Sequence, residues 1–512
     1  MRTNQPTPPE AAARPPLDAR VLAALCGAKL VLHLATSVVR YGYFRDELYY
    51  LDMARHLDWG YVDAAPLVAV YARVALAMGG SLAALRILPA LAGTVLVGLT
   101  ILIARELGGG RYAQFLSGLA VLLAPGILVM DGLLSMNAFE PLFWMGAALV
   151  LARILRTGDA LLWPWFGVLV GFGLENKHST LFFGFAVFVS LLLTRERRSF
   201  RERWIWIAGA IALSLLLPNL LWEYRHQFPT IEDLQNVRRE GKNVVLPPTA
   251  FVKQQIFAMH PLLFPVWLAG VVFLLRDRRW RALGLTFLVF FAAMAAAHAK
   301  DYYVFPIYPM ALAGGAVAIE RWTSRRRIWR TAVAAVLIAG GLITLPLSTW
   351  MLPPQSYIAY GNALGIRPQK AEVHHEGPLP QPIGDQFGWP ELVKDVAAIY
   401  RDLPAEERAR TGIFTGNYGE AGAVNLLGPA LGLPHAYSRH QNHWFWGPPA
   451  QDYRNLIVLQ WNLDDVRDNC RSFEAYPHEA RFGMAEENVP IYLCRDAEFD
   501  LRKIWWRSHH WN

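Results

Sequence analysis

Hydrophobic runs of nearly bilayer-crossing length recur along the first two thirds of this chain, each closed by a short polar or basic stretch. The segments near 21–39, 82–104, 112–129, 138–153, 160–175, 180–194, 204–222, 261–275, 282–298, 304–319 and 331–350 approach the roughly 20 apolar residues that a transmembrane helix needs. They predict about eleven helices in a polytopic membrane domain spanning 18–352. Residues 1–17 are Pro-rich and polar and lack the n-region and cleavage site of a signal peptide, so the first span is expected to stay uncleaved behind a cytoplasmic N-terminal tail.

Beyond Met351-Leu-Pro-Pro the pattern changes. A linker dotted with Pro and Gly runs to about Pro390, and helical and β-like stretches then alternate. Leu392, Val396, Ile399 and Tyr400 share one side of a helix over 391–402, and a second helix is read near 464–471. Residues 411–415, 455–461 and 489–494 read as short strands. The alternation predicts a soluble α/β domain over 353–512.

Composition narrows the class. Of 512 residues, 54% are hydrophobic and only 18% charged, which excludes an ordinary soluble enzyme. The net charge of +8 would suit nucleic acid, but the basic residues gather in alternate connections: 195–203, 276–281, 321–330, with Arg105, Arg111, Arg153 and Arg156. That is the pattern of cytoplasmic loops, so topology accounts for the charge and no nucleic-acid partner is expected. With the N-terminus inside and an odd number of spans, 353–512 and the first loop face outward from a cytoplasmic (inner) membrane. Cys470 and Cys494, in the outward part, are candidates for a disulfide, whereas Cys26 reads as a small buried hydrophobe. Gly416-x-x-Gly419-x-x-Gly422 has neither dinucleotide-binding spacing nor a P-loop lysine.

The first outward loop carries Tyr41-Gly-Tyr-Phe-Arg-Asp-Glu-Leu-Tyr-Tyr50, with Asp46 and Glu47 at the membrane surface. Ionisable groups at that depth are costly and mark function. A plainer reading makes Asp46 the N-cap of an amphipathic helix lying along the outer interface, with Glu47 favoured by the helix dipole. Other polar residues fall in further outward connections: Asp63; Asp131, Asn137 and Glu140; Lys177 and His178; Lys300, Tyr302 and Tyr303. Carboxylates and isolated cations on one face suit a reaction that needs a base and expels an anionic, lipid-borne leaving group. Lys177 and Lys300 could instead snorkel to headgroups, and Glu140 could bond between helices. The histidines, including His374-His375 and His509-His510, show no metal-ligand spacing.

Taken in order, Asp46-Glu47, Gly60-Tyr-Val-Asp-Ala-Ala-Pro-Leu67, Leu134-Ser-Met-Asn-Ala-Phe-Glu140, Gly171-Phe-Gly-Leu-Glu-Asn-Lys177, Lys300-Asp-Tyr-Tyr-Val-Phe-Pro-Ile-Tyr-Pro309 and Asn417-Tyr-Gly-Glu-Ala-Gly422 resemble the lipid-dependent glycosyltransferases of family 39, GT-C type, the protein O-mannosyltransferase and aminoarabinose transferase kind. The resemblance covers nearly the whole chain. It implies a polyprenyl-phosphate sugar donor, transfer on the outer face of the membrane with inversion, and a lipid, glycan or protein acceptor. It makes Asp46 the general base and Glu47 its support or an acceptor-orienting group. Lys177, Lys300 and Arg45 become donor phosphate-binding candidates, and Asp63, Asn137, Glu140, His178, Tyr302 and Tyr303 substrate-binding ones. Ala64-Ala65-Pro66 departs from the family's His-Pro-Pro, and Asn137 stands where many members are acidic, with Glu140 or Asp131 as substitutes. No cofactor is assigned, and the need for a divalent metal ion stays open. The competing class is a transporter or flippase of lipid-linked substrates, which would carry charged or broken helices at the midplane.

Overall fold

The computed structural model describes residues 14–37, 41–366, 372–373, 377–479, 482, 490–507 and 509–511. His374-His375 and the first thirteen residues of the N-terminal tail lie outside the described residues.

Each of the eleven hydrophobic segments falls on helix, but their lengths differ. Among the described residues, six helices are long and apolar enough to cross a membrane: Ala19–Thr36, Leu82–Glu106, Met136–Thr157, Arg203–Arg225, Asp301–Trp322 and Ile328–Ser348. Pro248–Ala258 and Pro261–Arg276 would form a seventh span, bent by 94°. The segment 112–129 is likewise divided, into Arg111–Leu122 and Pro125–Met130. Proline explains both breaks, since Pro125 and Pro261 lack the N–H that would continue the preceding helix. Two helices precede the second span, Arg45–Arg55 and Leu67–Ala77, and the latter was not among the expected segments.

Small residues let the spans approach. A Cβ on Gly270 would collide with the Ala311 carbonyl, and one on Gly315 with that of Val266, so Phe264–Arg276 and Tyr308–Trp322 pack backbone to backbone. Charge gathers at the two ends of the bundle. At one, Glu106 faces Arg14, Arg153 and Arg156 at 3.3, 3.7 and 2.5 Å, and Glu320 accepts from the N–H groups of Gly110, Tyr112 and Ala113 at the start of Arg111–Leu122. At the other lies Arg86, on the same helix as Glu106 and about 30 Å from it at 1.5 Å per residue. Beneath that end, Lys29 and Asp131 form a fully buried ion pair at 2.7 Å.

The C-terminal part is built on a five-stranded sheet: β1 (Thr411–Thr415), β2 (Ala436–Ser438), β3 (Asn455–Val458), β4 (Cys470–Tyr476) and β5 (Ile491–Ala497), in the order β2-β1-β3-β5-β4. β1 runs parallel to β2 and β3, while β5 pairs antiparallel with β3 and β4. A disulfide joins Cys470 to Cys494 across β4 and β5. Trp389–Asp402 covers the sheet through Trp389, Leu392, Val393 and Val396.

The helix Tyr418–Leu427 joins the sheet to the bundle. Asn417 caps it, accepting from Gly419 and Glu420 N–H at 2.8 and 3.0 Å, and Glu420 returns the bond to Asn417 N–H at 3.4 Å. Its glycines serve contact: a Cβ on Gly422 would lie 2.8 Å from the Leu48 carbonyl, and one on Gly419 2.5 Å from Arg45 Cγ. Tyr418–Leu427 therefore lies directly on Arg45–Arg55. This corrects the expectation that the amphipathic stretch rests along a lipid interface. Glu47 to Ala54 are buried, covered on one side by the C-terminal part.

Candidate active site

Two adjacent carboxylates open the helix Arg45–Arg55, and the helical turn of about 100° per residue gives them different surroundings. Phe44 is the N-cap, which corrects the reading of Asp46 in that role. Capping falls to Glu47, whose Oε2 accepts from Phe44 N–H at 2.9 Å. The same carboxylate takes Arg86 as a two-pronged partner, Nε to Oε1 at 3.2 Å and Nη2 to Oε2 at 2.9 Å, and accepts from Leu134 N–H at 2.9 Å. Arg86 also donates to the carbonyls of Ser37 and Gly42 and to Gln386 Oε1. Glu47 and Arg86 are both fully buried. Glu47 thus holds the entry loop, the turn before Met136–Thr157 and the linker in one frame, with its oxygens already occupied.

Asp46 lines a cavity of about 490 Å³. Its Oδ1 accepts from the Tyr418 hydroxyl at 2.9 Å, a bond across 372 residues of sequence, and Arg45 Nε lies 3.9 Å away. Burial pushes the Asp46 pKa above the ordinary carboxylate range. Arg45 and the Tyr418 hydrogen bond pull it down, Glu372 pushes it further up, and the net direction is upward. A carboxylate so tuned, once ionised, is a better proton acceptor than a solvated one.

Both polar and apolar side chains line the cavity. Arg45, Asp46, Asn137, Lys300, Tyr302, Glu372 and Tyr418 supply polar groups. Val129, Leu133, Leu246, Phe257, Phe305 and Leu347 supply hydrocarbon. Lys300 Nζ lies 3.4 Å from Glu372 Oε1. Arg45 has Asp385 at 3.8 Å and Glu372 at 3.7 Å.

Of the residues singled out from sequence, Arg45, Asp46, Asn137, Lys300 and Tyr302 thus meet on one cavity. Lys177, Glu140 and Tyr303 stand a layer behind. Lys177 Nζ bonds Asn137 Oδ1 at 2.7 Å, lies 3.3 Å from Glu140 Oε2, and sits over the rings of Tyr303 and Tyr302 at 4.2 and 5.4 Å. Glu140 also accepts from the Ser179 hydroxyl. Asp63 accepts from Tyr49 at 3.3 Å; burial, with Asp233 and Asp46 as like charges, raises its pKa to about 7. His178 is turned to Asn219 at 3.0 Å and Asp131 to Lys29, and neither lines the cavity. Among the described residues, no three His, Cys, Asp or Glu side chains converge as metal ligands.

Sequence reasoning did not single out Tyr418, Glu372 or Arg86. Asn417-Tyr-Gly-Glu-Ala-Gly422 was noted as a motif, and its two close-packing glycines were the signal that Tyr418, just before them, could touch another helix. Glu372 sits in the linker, where no periodicity marks it.

Known proteins share both sequence and shape with this chain. The family model for dolichyl-phosphate-mannose-protein mannosyltransferase matches residues 63–222. The lipid A galacturonosyltransferase RgtD of Rhizobium johnstonii is 25% identical over 380 residues, covering 70% of this chain and 77% of that protein. Among solved structures, ArnT from Cupriavidus metallidurans bound to undecaprenyl phosphate matches with a TM-score of 0.61 at 15% identity, over 93% of this chain and 97% of that one. The arabinofuranosyltransferase AftD from Mycobacteria matches with a TM-score of 0.51 at 14% identity, over 96% of this chain and 41% of its own.

Proposed function

We propose that this chain is a membrane glycosyltransferase of the GT-C class, moving a sugar from a polyprenyl-phosphate donor to a lipid-borne acceptor with Asp46 as general base; the similarities in sequence and fold support that reading. The observation that carries the proposal is one cavity lined by Asp46, Arg45 and Lys300 together with hydrocarbon side chains. The apolar lining suits the proximal isoprene units of the donor. Arg45 and Lys300 hold its phosphate and offset the charge that develops as the anomeric C–O bond breaks. Asp46 takes the proton of the acceptor hydroxyl while that oxygen attacks the anomeric carbon from the side opposite the phosphate, giving inversion. Lys177, one layer back, steadies Asn137 and Tyr302. Glu47 is a positioning residue that touches no substrate.

The likeness to RgtD makes lipid A the first acceptor to try. Purified protein incubated with radiolabelled undecaprenyl-phosphate sugars and lipid A is expected to transfer label with inverted anomeric configuration. Failure with every donor, or retention of configuration, would overturn the assignment.

Tyr418→Phe tests the reach of the C-terminal part into this chemistry. Transfer needs ionised Asp46, so the rate rises as pH passes its pKa. The Tyr418 hydroxyl favours the ionised form, and removing it moves the acidic limb of the pH–rate profile upward. Activity should fall most at low pH and recover towards wild type as pH increases. A loss equal at every pH would reduce Tyr418 to a packing role.

A further inference from the structure

The cations assigned to the phosphate already have an anion. Glu372, bridged through its backbone to Asn243, places Oε1 3.4 Å from Lys300 Nζ and Oε2 3.7 Å from Arg45 Nη2, while Gln381 Nε2 donates to Oε2 at 3.0 Å. Burial alone would raise its pKa, but Arg45, Lys300 and Lys242 outweigh that and hold it at about 2, so it is ionised at any working pH. The pairing is loose. Arg45 stands 3.7 to 3.9 Å from Glu372, Asp385 and Asp46, beyond hydrogen-bond length, and its buried Nε has no hydrogen-bond partner among the described residues. Buried donors are rarely left so, and this one stands on the cavity wall. The guanidinium is neutralised without being satisfied, which leaves room for ligand oxygens.

We propose that Glu372 is the resident counter-anion of the phosphate site, giving up Arg45 and Lys300 to the donor phosphate and competing for them again once transfer is complete. The proposal rests on the reading of Arg45 and Lys300 as phosphate-binding groups. The donor is a phosphodiester with one negative charge. When the acceptor oxygen bonds to the anomeric carbon, its proton passes to Asp46 and the electron pair of the broken anomeric C–O bond stays with phosphate. The product is a monoester carrying about 1.5 to 2 negative charges near neutral pH. Two bare cations would hold that product more tightly than the donor and stall turnover. A fixed carboxylate in the same cluster repels the dianion more than the monoanion, and so favours release.

The test uses the full-length protein and its Glu372→Gln variant, with undecaprenyl phosphate and inorganic phosphate as probes. Removing one like charge from contact with the ligand should tighten undecaprenyl phosphate binding by about tenfold and strengthen product inhibition to match. Steady-state turnover should fall more than the single-turnover rate, because release and not chemistry is the step that slows. Inorganic phosphate should raise the melting temperature of the variant more than that of wild type, with chloride as the control. Glu372→Asp, shorter but still anionic, should fall between the two, and it carries the test if the Gln variant folds poorly. A variant that binds both anions no better than wild type overturns the proposal. A gain for inorganic phosphate, with undecaprenyl phosphate bound by neither protein, upholds the role of Glu372 and sinks the lipid-phosphate donor instead.

Discussion

Asp46→Asn should lower sugar transfer by about 10²- to 10⁴-fold, the usual contribution of a positioned base, or about 3 to 5 kcal/mol of barrier. The substitution is nearly isosteric, and the amide oxygen can still accept the Tyr418 hydroxyl, so the cavity keeps its shape. Asp46 carries no structural load comparable to that of its neighbour; apart from Tyr418 its surroundings are the cavity and Arg45. The variant should therefore fold, bind undecaprenyl phosphate and melt close to wild type. The decisive measurement is the single-turnover rate with a labelled donor at saturating acceptor. A rate within threefold of wild type would remove Asp46 from the chemistry.

Glu47→Gln should do the reverse, costing stability before it costs chemistry. Breaking a buried ion pair from one side leaves an uncompensated charge, a penalty of about 3 to 5 kcal/mol. Here the stranded group is Arg86, which is fully buried. Loss of the frame would release the Leu134 turn and the Gln386 contact together. The expected result is a lower melting temperature in detergent and poor recovery from the membrane, with residual activity in proportion to folded protein. Replacing both partners, as Glu47→Gln with Arg86→Met, should recover part of the loss, because no unpaired charge remains. A single Glu47→Gln variant that melts like wild type would show that the pair is not the frame described above.

These opposite outcomes for adjacent residues mark what sequence could and could not convey. The eleven hydrophobic runs all coincide with helix, because a helix that must bury every face or turn it to lipid leaves an unbroken apolar stretch, but Leu67–Ala77 and Pro248–Ala258 were not read from them. Where the helix breaks was less legible: Pro125 and Pro261 were visible, but proline inside a span only sometimes divides it, as Pro89 and Pro141 inside continuous helices show. In the C-terminal part, β1, β3 and β5 stood out as apolar runs. β2 has only three residues, and β4 is largely exposed, so neither left a hydrophobic pattern. Asp46 and Glu47 could be located but not told apart. Their roles depend on Arg86, 39 residues from Glu47, and on Tyr418, 372 residues from Asp46, and no local spacing encodes either.

Gly419 and Gly422 leave no compliant layer between the helix that carries Asp46 and the helix that carries Tyr418. Gly422 rests on the Leu48 backbone and Gly419 on the Arg45 side chain, so a shift of the sheet would press directly on the helix that carries the base. Arg45–Arg55 is thus clamped from both sides, to the N-terminal half through Glu47 and Arg86 and to the C-terminal half through Gly422.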